Sequence, residues 1–185
     1  MLKALIKKCI RIFRNRIKRI QFYALGFTAC DSTDISWSVS ADGGGGGGSI
    51  FVGDNSTLDR GVILRAYGGF IRIGDNSTIN PYCLLHGTGG LTIGNGVRIA
   101  SHTVVVAANH NFSNTSKFIY LQGETALGII IEDDVWIGAG VTILDGVTIR
   151  KGSVIGAGSV VTRSTDPYSI NVGVPTKAIG SRTNC

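Results

Sequence analysis

Charge, proline and paired cysteine are all scarce in this sequence of 185 residues. Charged residues make up only 16% of it, too few to coat the exposed faces of a helical bundle. With three prolines against 27 glycines, glycine is left to make the tight turns. The four cysteines, Cys9, Cys30, Cys83 and Cys185, form no CxxC pair and no Cys/His cluster of metal-ligand spacing. Neither a metal site nor a disulfide framework is therefore expected, and reduced thiols in a cytoplasmic protein are the simplest reading. No apolar run approaches the ~20 residues that a bilayer crossing requires. The apolar residues near the N-terminus are interrupted by Lys or Arg every few positions, unlike the unbroken stretch of a secretory signal.

Acids are missing altogether from residues 1–20, which hold Lys3, Lys7, Lys8, Arg11, Arg14, Arg16, Lys18 and Arg19. The other ten basic residues are outnumbered by 12 acids, so the net charge of +6 belongs to a segment and not to the fold. Leu2, Leu5, Ile6, Cys9, Ile10, Phe13, Ile17 and Ile20 recur at helical spacing, with the basic residues mostly opposite. Two roles for this amphipathic helix stand side by side. It can cap the first rung of a repeat structure, or lie on an anionic membrane surface. Nucleic acid is not expected as a partner, because no base-reading module surrounds the segment.

What the chain does have is a six-residue rhythm. Aliphatic residues fall at Val52, Leu58 and Leu64, at Ile73, Ile79 and Leu85, and at Ile93, Ile99 and Val105. After a gap they resume at Ile131, Ile137, Ile143, Ile149, Ile155 and Val161 without a slip. Gly or an acid often follows, as in Val52-Gly53-Asp54-Asn55 and Ile73-Gly74-Asp75-Asn76. One such unit is a short strand and a turn, and it cannot bury its aliphatic side chain alone. Stacked units align these side chains into an inner column while backbone hydrogen bonds run between rungs.

The interruptions carry more information about chemistry. The phase slips by a few residues after Leu64 and after Leu85, which reads as bulged corners. Gly43–Gly48 reads as a flexible joint ahead of the first good rung. The large break lies between Val105 and Ile131. A long excursion from a regular scaffold is usually functional.

These repeats resemble those of the hexapeptide-repeat acyltransferases over roughly residues 50–180. The resemblance implies a mainly β fold, a left-handed parallel β-helix, with the amphipathic helix and one extended loop added. Handedness comes from the resemblance alone. The expected organisation is a helix over 1–25, an irregular Gly-rich lead-in over 26–49, a β-helix over 50–165 with a loop at about 107–128, and a C-terminal cap segment over 166–185. The family's loop reaches a neighbouring subunit, which implies a homotrimer.

Of three histidines, His86, His102 and His110, the last stands where the chain leaves the repeat, and imidazole suits a proton acceptor near neutral pH. It matches the catalytic histidine of the family, and Glu124 matches a glutamate near that site. The stretch from Asn80 to His110 is similar in spacing to the sugar O-acetyltransferases, where the matching asparagine binds the acceptor; a turn asparagine bonding its own backbone is the alternative. The family's acidic acceptor residue is replaced here by His86-Gly87-Thr88-Gly89. Trp136 matches a position lining the acceptor and thioester end. Ala139 and Ala157 match backbone contacts to the pantetheine arm of acetyl-CoA, and Thr162, Arg163 and Lys177 match its nucleotide end. Gly180 stands where those enzymes carry a further basic residue, which leaves Arg182 to replace it.

The expected reaction is acetyl transfer from acetyl-CoA to a sugar hydroxyl, with a cell-surface polysaccharide precursor as acceptor and the inner membrane face as location if the helix touches lipid. A sugar N-acetyltransferase, a xenobiotic acetyltransferase and a non-catalytic scaffold are the alternatives. No metal is expected; a zinc site would need the three histidines to converge.

Overall fold

The computed structural model describes residues 2–44 and 47–184. Very short strands, mostly two to four residues long, wind into a three-faced prism. The first face stacks Phe27–Ala29, Ser49–Val52, Phe70–Ile73, Leu91–Ile93, Ile129–Ile131 and Thr148–Ile149. The second stacks Asp34–Ile35, Thr57–Leu58, Thr78–Ile79, Arg98–Ile99, Trp136–Ile137 and Val154–Ile155. The third stacks Ser40–Asp42, Ile63–Arg65, Leu84–His86, Val104–Val106, Thr142–Ile143 and Val160–Val161. Neighbouring coils pair in parallel and in register, as along Ile79, Ile99, Ile137 and Ile155.

All fifteen phased aliphatics are buried inside this prism. Ile50, Ile71, Leu91 and Ile129, two residues before the phased position on the first face, add a second inner column. The polar residues after each aliphatic have a separate task at the corner that follows. The N–H of Asp54 donates to Asp75 Oδ1 at 2.8 Å, that of Asp75 to Asn95 Oδ1 at 2.7 Å, and that of Asn95 to Asp133 Oδ1 at 2.7 Å. Inside the same corner, Ser56 Oγ donates to Gly74 O and Ser77 Oγ to Gly94 O, so no hydroxyl there is buried without a partner.

The prism begins earlier than the aliphatic phase indicates. Residues 26–49, expected as an irregular lead-in, form the first coil, whose three strands pair in parallel with the second coil. Its inward positions Ala29, Ile35 and Ala41 keep the six-residue spacing, but two are alanines that a search for large aliphatics passes over. Gly43–Gly48 is likewise not a bare joint, although Gly45 and Gly46 lie outside the described residues. Gly43 N donates to Leu25 O at 2.7 Å and Gly43 O accepts from Gly68 N at 2.9 Å, and a Cβ on Gly48 would collide with Gly43 O. Every lengthening of the six-residue spacing, from Ala41 to Val52, Leu64 to Ile73, Leu85 to Ile93 and Val105 to Ile131, falls at the passage from the third face to the first. One corner thus absorbs all the irregularity, and two stay regular.

At the N-terminal end, the helix α1 (Leu2–Tyr23) lies against the first coil. Asn15 donates through Nδ2 to Thr33 O at 2.7 Å and accepts from Ile35 N at 3.0 Å. Lys18 Nζ donates to Val39 O, Arg19 bonds Cys30 O and pairs with Asp31, and Arg14 pairs with Asp34. The helix is therefore a cap. It satisfies backbone groups of a coil that has no coil below it. At the other end Ser169–Val172 joins the second face in parallel, and Lys177–Ser181 pairs with it antiparallel, closing the prism with a hairpin.

Candidate active site

The arm leaves the prism after Val106 and returns at Ile129. Its base is clamped: Asp145 accepts from the N–H groups of Leu127 and Gly128 at 2.9 and 2.8 Å, and Gly89 N donates to Ala107 O at 2.9 Å. Gly128 has φ +90°, and a Cβ there would lie 2.6 Å from Gly89 O, so only glycine lets the arm rejoin the coil. Above the base, Asn109–His110 and Glu124–Thr125 pair antiparallel, placing His110 opposite Glu124. The result is a His110 Nδ1 to Glu124 Oε1 separation of 3.4 Å, with both side chains open to solvent. A shallow cavity of about 400 Å³ opens beside His110, lined by Asn109, Asn111, Phe112, Ser113 and Thr125.

Gln122, which the sequence did not single out, holds the arm together. Its Nε2 donates to Asn114 O and Lys117 O, and its Oε1 accepts from Asn114 N. Asn111 links the two sides by accepting from Thr125 Oγ1 at 2.8 Å and donating to Gln122 O. Polar side chains thus fold the arm, while Phe112, Phe118, Ile119, Tyr120 and Leu121 all remain exposed.

His86 stands close to this pair, at the end of the third face, directly below Val106 in register. Its Nε2 is 2.6 Å from Thr88 Oγ1, and the Tyr67 ring meets it edge-on at 4.5 Å. Burial pushes its pKa below the ordinary histidine value, and the Glu124 carboxylate partly opposes that. His102 is elsewhere, stacked on Tyr82 at the corner between the second and third faces. Among the described residues no three His, Cys, Asp or Glu side chains cluster as metal ligands.

The remaining expected residues fall into separate places. Asn80, Ala139 and Ala157 share the corner after the second face, with the coil of Ile99 between that of Asn80 and that of Ala139. Asn80 Nδ2 donates to Ile99 O at 2.8 Å, so its amide nitrogen serves the rung beside it. Among the described residues the N–H groups of Ala139 and Ala157 have no acceptor within the chain, and both residues are exposed. Trp136 projects from the second face between Arg98 and Val154 and is also exposed. Lys177 opens the last strand of that same sheet. Thr162 and Arg163 follow the last strand of the third face, exposed at the corner from which the arm springs one coil pair below. Arg182 is engaged within the chain: its Nη1 donates to Asp134 Oδ2 and Gly152 O, both at 2.9 Å, tying the C-terminal hairpin to the prism.

Within one chain, then, His110 and Glu124 stand at one corner, while Asn80, Ala139 and Ala157 stand at another with the third face between them. Fold and site together define a parallel β-helix of the hexapeptide type that carries a polar site on a corner arm. The model of the family "Bacterial transferase hexapeptide (six repeats)" matches residues 128–163. AntD, an N-acyltransferase from Bacillus cereus, is 30% identical with a TM-score of 0.75, and the match covers 88% of both chains. That structure is of a mutant in complex with dTDP-4-amino-4,6-dideoxyglucose and coenzyme A; another of AntD holds dTDP and 3-hydroxybutyryl-CoA at the same identity and TM-score. A maltose O-acetyltransferase from Clostridium difficile 630 is 25% identical with a TM-score of 0.60, covering 96% of this chain and 84% of that one. No curated protein matches in sequence. The chain belongs to the hexapeptide-repeat transferase family, whose left-handed parallel β-helix is the fold that the resemblance implied.

Proposed function

We propose that the protein transfers an acetyl group from acetyl-CoA to a hydroxyl of a sugar, with His110 as general base. The observation that carries this is the His110–Glu124 pair, held face to face by the arm's two-strand ladder beside an open cavity. A carboxylate 3.4 Å from Nδ1 favours the tautomer with its proton on that nitrogen, leaving Nε2 basic. Nε2 takes the acceptor's hydroxyl proton while the oxygen forms a bond to the thioester carbonyl carbon. The C–S bond then breaks, and the coenzyme A thiolate leaves with the proton from His110.

The bare N–H groups of Ala139 and Ala157 fit a ligand of alternating carbonyls and amides such as pantetheine, and that of Ala139 is placed to serve the oxyanion. Thr162, Arg163 and Lys177 supply polar and cationic contacts for the nucleotide phosphates, and Asn80 and Trp136 border the acceptor. Because Asn80, Ala139 and Ala157 lie at a different corner from the arm, a complete site needs a second copy of the chain. The exposed aromatic side chains of the arm fit that role, so the assembly proposed is a homotrimer with sites between subunits. A cell-surface polysaccharide precursor at the cytoplasmic face of a membrane is the acceptor proposed, with peripheral contact through residues 1–20.

The likeness to AntD favours a second reading, N-acylation of an amino sugar in the same groove. The test follows thiol release from acetyl-CoA with hydroxyl and amino nucleotide sugars as paired acceptors. His110→Ala is expected to lower turnover on the hydroxyl acceptor by about 10²-fold or more, the usual worth of a general base, with cofactor binding retained. Activity on amino sugars alone would replace the first reading by the second, and near-normal turnover of His110→Ala would remove His110 from the chemistry.

A further inference from the structure

The cap helix is packed the wrong way round for a soluble amphipathic helix. Such a helix normally turns its apolar stripe to the core and its charges to water. Here the side chains against the prism are Asn15, Lys18 and Phe22, with Arg14 and Arg19 beside them. The apolar stripe looks outward instead: Ile6 is 48% exposed, Ile10 54%, Phe13 64% and Ile20 78%. At 1.5 Å per residue the 22-residue helix is about 33 Å long. Among the described residues its hydrogen bonds to the prism begin at Arg14.

We propose that this outer face is a docking surface for an anionic lipid bilayer, which binds the molecule by its capped end. Charge complementarity selects this occupant. Eight Lys and Arg and no acid occur in residues 1–20, and the first acid of the chain is Asp31. Arg14, Lys18 and Arg19 are occupied by the prism and Arg11 shares their side of the helix, whereas Arg16, three residues after Phe13 and four before Ile20, is exposed among the apolar side chains. An exposed apolar face that carries a cation, on a segment with no acid, is the pattern of a helix lying in a charged interface. Aromatic residues at the same end fit the boundary between headgroups and acyl chains: Tyr23 closes the helix and Trp37 protrudes from the first coil, both exposed. Among the described residues no helix is long and apolar enough to cross a membrane, so the contact is along the surface. The polar inner face explains the inversion: the coil needs hydrogen-bonding groups to cover its open end, and only the polar side of the helix supplies them.

This inference stands apart from the catalytic reading, and its test does not depend on turnover. The full chain is sedimented with vesicles of phosphatidylcholine alone and of phosphatidylcholine with about 30% phosphatidylglycerol. Binding to the anionic vesicles only, weakened by high salt, is expected. Phe13→Asp is expected to weaken it about tenfold or more without changing the melting temperature, since Phe13 is mostly in water. Arg11→Glu with Arg16→Glu should act in the same direction. The proposal is overturned if the wild-type chain stays in solution, if it binds neutral vesicles equally, or if Phe13→Asp binds as well as wild type. Loss of oligomeric state in Phe13→Asp, read by light scattering, would instead assign this face to a second copy of the chain and also overturn it.

Discussion

His110 and Cys83 illustrate how position decides the reactivity of a side chain. The His110 side chain is open to solvent and pairs with Glu124, so its replacement should touch chemistry and not folding. Cys83 is the reverse case. It is buried at a corner, its thiol donates to Ala100 O at 3.1 Å, and burial pushes its pKa up to about 11. A thiolate is the reactive form, so at pH 8 Cys83 should resist a disulfide reagent while exposed Cys9 reacts promptly. The sign also fixes a dependence of stability on pH. The folded thiol holds its proton more tightly than the free one at 9.0, so its contribution falls as pH rises from about 9 towards 11. Mass spectrometry of the labelled native protein would check the order of modification. His110 was legible in the sequence from its place at the break in the repeat. Tyr67 and His86 were not legible as neighbours, because the eighteen residues between them wind through a whole coil.

At the scale of an element, a two-residue strand has no stability of its own and exists by its neighbours above and below. Ile99 lies between Ile79 and Ile137 in that stack and is fully buried. Ile99→Ala should cost about 2–5 kcal/mol, because coils pinned by rung hydrogen bonds cannot collapse into the gap. Denaturant unfolding would give the value; a loss under 1 kcal/mol would mean that the inner column tolerates voids. The ladder through Asp75, Asn95 and Asp133 shows why acids and asparagine recur after the aliphatics: each side-chain oxygen receives the N–H of the coil before it. The first coil stayed hidden for an equally local reason, since Ala29 and Ala41 hold inward positions at which the eye seeks Val or Ile. The helix was legible as an element from its spacing, but not the face it buries.

For the whole molecule, the question is what covers the arm. Phe112, Phe118, Ile119, Tyr120 and Leu121 on one short excursion are left in water by a single chain, and the polar staple around Gln122 holds the fold of that excursion. In the proposed trimer they pack on a neighbour and bring His110 to that neighbour's Asn80–Ala139–Ala157 corner. Phe118→Asp with Tyr120→Asp should therefore give monomers in light scattering and reduce activity by orders of magnitude, with the β-sheet circular dichroism signal kept. Normal activity from a monomeric variant would show that one chain holds a complete site.

The sequence by itself determined the prism, because a six-residue period of buried aliphatics has one economical solution, stacked short strands that share an inner column. It also located the arm, since an interruption is visible wherever a period is. Tertiary structure decided which groups meet and which faces are left over. It set His110 against Glu124 through the pairing of two strands fourteen residues apart, and it assigned Arg182 to Asp134 across the C-terminal end. It turned the cap helix with its charges inward, because an open coil presents unpaired backbone that only polar side chains can satisfy. Spacing along a chain reports period and phase; partners across it depend on the winding that brings distant residues to one corner.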